Sequence, residues 1–224
     1  MSPDGIQALS VDAPPDQDLR VLCLGAHSDD IEIGCGGTLL NLLTGPHKVA
    51  CTWVVFGASG DREREARESA AIYLGDGAEH TVRVEGFRDG YFPYVGGGIK
   101  DVFEELKQQC NPDVVFTHYR EDRHQDHRVI SDLTWNTYRR HLILEYEIPK
   151  YDGDLGIPNV FVPLTDAIRK QKISNLFRAF ATQRDKGWFT EETFNSILRL
   201  RGIECSAADG YAEAFYGRKV VVGL

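Results

Sequence analysis

The chain reads as an α/β protein of Rossmann-like type, a mainly parallel sheet with helices on both faces. Three observations predict it. Short apolar runs alternate with helix-like segments, which argues for βαβ units. The run Val21–Leu24 ends in a polar, glycine-rich stretch before Thr38, Leu39 and Leu40, a strand, loop and helix in succession. The 224 residues suit one domain and bury enough surface to form a core without disulfides or metals as staples. Residues 1–18, with Pro3, Pro14, Pro15 and several acids, read as a mobile tail, and the single domain runs from 19 to 224. Strands are expected over 20–25, 49–56, 81–85, 113–117, 159–162 and 219–224. Helices are expected over 35–44, 61–75, 96–110, 125–140, 165–181 and 190–201. Between about 140 and 170 nothing diagnostic stands out.

Composition excludes several classes of function. A net charge of −9 works against nucleic-acid binding, which depends on clustered Lys and Arg, and favours a small-molecule substrate. The 42% hydrophobic content is ordinary, and no run approaches a membrane span or a signal-peptide core, so a cytoplasmic protein without membrane insertion is expected. The five scattered cysteines suit buried free thiols better than a disulfide framework. Asp61–Glu68 alternates in sign, the mark of a solvated helix face for all but Arg62. A homo-oligomer is compatible with all of this.

Two clusters carry chemistry: His27-Ser28-Asp29-Asp30 behind the first strand, and His124-Gln125-Asp126-His127 a hundred residues on. A lone His-x-Asp-Asp is often a surface turn with a helix cap, and a lone His pair at i, i+3 is often a polar helix face. Both clusters, however, follow strand-like runs, Val21–Leu24 and Val114–Thr117, and can meet at one sheet edge, where open α/β sheets bind ligands. Together they supply enough imidazoles and carboxylates for a zinc site with an acid or base left over. Gly25, Gly34, Gly36 and Gly37 suggest a nucleotide loop as a rival, but the spacing is not G-x-G-x-x-G and two Asp would repel phosphate.

These residues carry a family resemblance. Ala26-His27-Ser28-Asp29-Asp30-Ile31-Glu32 followed by His124-Gln125-Asp126-His127 resembles the paired signatures of the LmbE-like or PIG-L-like zinc-dependent N-deacetylases, with Ser28 where the family usually has proline. Arg62-Glu63-Arg64-Glu65 with the Ala70, Ala71, Leu74, Gly75 ending, Gly86-Phe87-Arg88-Asp89-Gly90, and Tyr211-Ala212-Glu213-Ala214-Phe215 look like further family segments. The resemblance implies removal of an acetyl group from an N-acetylated amino sugar or conjugate, GlcNAc-like and including nucleotide-linked forms. The alternatives are hydrolysis of another amide or ester, or a non-catalytic metal- or nucleotide-binding protein on the same scaffold.

Zinc, or another divalent cation, wants three protein ligands and an open position, and His27, Asp30 and His127 are the best set, matching the family position by position. Asp29 is then the candidate general base, and a protonated His124, oriented by Asp126, the candidate oxyanion donor. Either Asp29 or His124 can return the proton to the leaving amine. Arg62 and Asp89 match the positions that contact the sugar in the family. Arg88, Tyr91 and Tyr94 flank that segment. His118 reads as ending its strand or packing nearby, and Glu32 as holding the loop through backbone donors.

Overall fold

The computed structural model describes residues 8–11, 17–75, 77 and 79–221. Of the expected tail, residues 8–11 and 17–18 are described and carry neither helix nor strand, and the rest lies outside the described residues. The strands are β1 (Leu19–His27), β2 (Val49–Gly57), β3 (Thr81–Val84), β4 (Val114–His118), β5 (Leu142–Tyr146), β6 (Val160–Leu164) and β7 (Tyr211–Gly217). The helices are α1 (Asp30–Thr44), α2 (Asp61–Leu74), α3 (Gly96–Gln109), α4 (Gln125–Thr137), α5 (Asp166–Ala179) and α6 (Glu191–Glu204).

One sheet takes the order β3-β2-β1-β4-β5-β7-β6. The first five strands pair in parallel, and β7 runs antiparallel to both β5 and β6. Successive side chains of a strand face opposite sides, and the core divides accordingly. Val21, Cys23, Trp53, Val55, Val114 and Phe116 join the core under α1, α2, α5 and α6. Leu22, Leu24, Val54, Phe56 and Val115 join a second core under α3 and α4. Helices therefore cover both faces, which is why the strands are apolar almost throughout.

Three expectations need correction. The glycine run is not a turn before a helix starting at 35: α1 begins at Asp30 and contains it. The glycines permit close packing there, since a Cβ on Gly34 would come within 2.2 Å of the Tyr146 ring and one on Gly37 within 2.6 Å of Leu164. The last strand is not 219–224. It is Tyr211–Gly217, followed by residues outside any strand up to 221, with 222–224 outside the described residues. Glu213 in mid-strand disguises β7, and it is tolerated because the buried Lys172 pairs with it and the N–H groups of Gly37 and Thr38 donate to it. Finally, α4 stops at Thr137 rather than 140, and an unexpected strand, β5, follows at Leu142–Tyr146.

The strand order positions the site. From β1 the chain builds outward through β2 and β3, then returns to β4 on the other side of β1. The segments leaving the carboxyl ends of β1 and β4 diverge at this switch and leave a crevice between them.

Candidate metal and catalytic site

Both motifs open into that crevice. β1 ends at His27, α1 begins three residues later with Asp29 in the N-cap position, and β4 ends at His118 ahead of a short loop to α4. Asp30 folds back on the turn, accepting the His27 backbone N–H at 2.6 Å. His124 caps α4: its Nδ1 accepts the Asp126 N–H at 3.3 Å, satisfying one of the free donors of the first turn.

Three of the expected residues converge. His27 Nδ1 lies 3.2 Å from His127 Nε2 and 3.4 Å from Asp30 Oδ2, while His127 Nε2 lies 3.6 Å from Asp30 Oδ1. Overlapping sets, His27 with His124 and His127, and Asp30 with His118 and His127, also bring one ligand atom each to within 4.8 Å of one another. Burial opposes charge on His27, yet Asp126, Asp30 and Asp89 outweigh it and hold its pKa well above the ordinary range. Burial and the neighbouring His118 instead push His127 down to about 3, the neutral form in which imidazole binds metals. Burial would raise Asp30, but His127 and His118 hold it well below the usual carboxylate range.

The remaining residues occupy a shell around these three. Asp126 meets the His124 ring through its backbone N–H and not through its carboxylate. Its carboxylate takes the N–H groups of Gly90 at 2.6 Å and Phe92 at 3.1 Å and lies 3.2 Å from His27 Nε2. The α4 turn aims it away from His124, so it orients His27. His124 is not predisposed to carry a proton either, because burial and the charge on His27 lower its pKa. Arg62 donates to Asp29 Oδ1 at 2.6 Å and to Glu65 and Thr182, so its guanidinium is engaged within the protein rather than held free for a hydroxyl. Glu65 itself is buried, accepting from the Thr182 N–H and hydroxyl, which corrects the reading of Asp61–Glu68 as wholly solvated apart from Arg62. Asp89 meets His27 Nε2 at 3.1 Å with its side chain 76% exposed. Glu32 does not hold the loop: it is buried within α1, and neither carboxyl oxygen has a hydrogen-bond partner.

Sequence reasoning missed Asp122, Lys150 and the closeness of His118. Asp122 Oδ2 lies 2.9 Å from His127 Nδ1, and Lys150 Nζ donates to that oxygen at 2.9 Å and to Asp154 at 2.6 Å. His118 Nε2 accepts the Ala26 N–H at 2.9 Å, 3.2 Å from Asp30 Oδ2, and its ring stacks on His127 at 4.0 Å. Asp122 lies five residues before His127, a spacing that only the turn into α4 makes short. Lys150 comes from the β5–β6 connection, and no local pattern announces it. His27, Asp29, Asp30, His124 and His127 floor a cavity of about 850 Å³ walled by Phe87, Arg88, Tyr151, Lys186 and Trp188 among others.

Residues 22–138 match the family described as PIG-L, GlcNAc-PI de-N-acetylase. The chain belongs to the PIG-L family. The matched span covers both motifs. An Escherichia coli (strain K12) relative described as the uncharacterized deacetylase YaiS is 31% identical over 139 residues, 58% of this chain and 74% of YaiS. Two solved structures share the fold. The conserved protein TT1542 from Thermus thermophilus superposes with a TM-score of 0.72 at 23% identity, covering 92% of this chain and 97% of that one. N,N'-diacetylchitobiose deacetylase from Pyrococcus horikoshii gives 0.68 at 22% identity, over 92% and 86%. This PIG-L member is a deacetylase-family hydrolase, and no helix among its described residues is long and apolar enough to cross a membrane.

Proposed function

We propose that this PIG-L family member is a metal-dependent hydrolase that removes the acetyl group from an N-acetylated amino sugar or sugar conjugate. The observation that carries the reading is the convergence of His27 Nδ1, His127 Nε2 and the two Asp30 carboxyl oxygens, at 3.2 to 3.6 Å, with Asp29 next to Asp30 in the chain. Ligands about 2.0–2.1 Å from a tetrahedral zinc are separated by roughly 3.4 Å, so the donor set fits the cation in both spacing and chemistry. The acetylated-sugar substrate of the Pyrococcus relative supports the substrate class.

A divalent cation such as zinc, held by His27, Asp30 and His127, would supply Lewis acidity and bring the pKa of water towards about 7. The work of the protein is then positional. Asp29 takes the proton of the attacking water with the oxygen that Arg62 does not engage. His124, neutral and with Nδ1 occupied by the Asp126 N–H, presents Nε2–H to the amide oxygen as charge develops on it. The water oxygen bonds to the carbonyl carbon, the C–N bond breaks, and Asp29 returns its proton to the departing nitrogen, leaving acetate and a free amine. Arg62 orients Asp29, and the exposed Asp89 accepts a sugar hydroxyl at the cavity mouth.

Acetate release from a panel of N-acetylated amino sugars and nucleotide sugars, with and without chelator, tests this. Release that stops on chelation and returns with zinc is expected. Release indifferent to chelator, or cleavage confined to esters, would overturn the proposal.

A further inference from the structure

Four cations line the cavity, and they divide into two kinds. Arg62 is committed to Asp29 and Glu65, and Lys150 to Asp122 and Asp154. Arg88 and Lys186 have no ion pair or side-chain hydrogen bond among the described residues. Each lies against an aromatic ring instead, the Arg88 guanidinium carbon 3.7 Å from the Tyr91 ring centre and the Lys186 ammonium 5.8 Å from that of Trp188. A stacked guanidinium has its flat face covered and its edge N–H groups left over, which is the fork that grips carboxylate or phosphate.

No carboxylate of the cavity comes within ion-pair distance of either cation among the described residues. Asp29 and Asp30 are taken up by Arg62 and the histidines, and Asp89 faces His27 while also feeling the charge of Lys186. Asp152 alone among them has no such pair among the described residues, so Arg88 keeps its edge donors and Lys186, though drawn towards Asp89, makes no ion pair. In a chain of net charge −9, whose overall field repels anions, these two cations without ion pairs sit beside the reacting groups.

We infer that Arg88 and Lys186 form an anion subsite, and that the preferred substrate is an N-acetylated amino sugar bearing a phosphate or carboxylate. This rests on the deacetylase reading and narrows its substrate class. Arg88 supplies the paired N–H donors and Lys186 a point charge, while Tyr91 and Trp188 hold both side chains in place. The adjacent Asp89 is left for the ring hydroxyls.

Two measurements keep the subsite and the activity separable. Calorimetric binding of N-acetylglucosamine is compared with that of its 1-phosphate, its 6-phosphate and N-acetylmuramic acid, for wild type, Arg88→Gln, Lys186→Gln and the double variant. Acetate release is followed on the same panel. We expect at least one anionic sugar to bind about tenfold or more tightly than the neutral one. That ratio should fall several-fold in each single variant, approach one in the double variant, and shrink as salt rises. The two phosphates and the lactyl carboxylate distinguish the sources of charge. Equal binding of neutral and anionic sugars by wild type overturns the subsite whether or not acetate is released, as does a preference that survives the double variant. Anion-selective binding without acetate release from any sugar would leave the subsite standing and sink the deacetylase reading.

Discussion

The two segments that meet at the crevice are built on opposite plans. In the first, His27, Asp29 and Asp30 fall within four consecutive positions at the end of β1 and the start of α1, and the strand-to-helix turn alone brings them together. In the second, His118, Asp122, His124, Asp126 and His127 span ten positions, and distant groups prop them: Lys150 on Asp122, and the Gly90 and Phe92 N–H groups on Asp126. Charge follows the same division. Asp122 is held well below the usual carboxylate range by His127 and Lys150 despite its burial, whereas Glu32 of the first segment is pushed up to about 8 by burial without a partner. Adjacent residues thus suffice to deliver reacting groups, while orienting them takes tertiary contacts.

The contrast predicts chemical failure from the first segment and geometric failure from the second. Asp29→Asn should lower kcat by about 10² to 10⁴ with metal content unchanged, since an amide takes no proton from water. Steady-state kinetics with metal analysis checks it, and near wild-type turnover would place the base elsewhere.

Glu32 reports on the first segment by stability. Its folded pKa of about 8 exceeds the ordinary 4.5, so the folded state binds the extra proton. The contribution is full below about pH 4.5 and is lost as pH rises through about 8, of the order of a few kcal/mol in total. Denaturant unfolding of the chelated protein across that window should show the loss, and Glu32→Gln should flatten it. An unchanged slope in the variant would mean the carboxyl is not held neutral.

In the second segment, Asp122→Ala should weaken metal affinity by about 10- to 100-fold by freeing the His127 ring, with the fold retained. Equilibrium dialysis reads this directly. Lys150→Met should have the smallest effect, a several-fold weakening in the same direction, because Asp122 keeps its bond to His127 but loses its brace; Lys150→Arg should restore most of it. A Lys150→Met variant with undiminished affinity would show that the brace serves the β5–β6 connection only.

What the sequence determined by itself follows from adjacency and periodicity. The alternation of apolar runs and helices predicted a mainly parallel sheet, and His27, Asp29, Asp30 and the His124–His127 cluster were legible because their chemistry lies within a few residues of a strand end. β5 and β7 were not legible. Leu142–Tyr146 is five residues long and follows α4 after only four residues, and Glu213 breaks the apolar pattern of β7 until Lys172 arrives from α5. Only the tertiary structure turned Asp126 from His124 towards His27, bound Arg62 to Asp29, and set Lys150 behind Asp122. A hydrogen bond across 28 or 99 residues depends on which elements pack side by side, and local sequence carries no record of that.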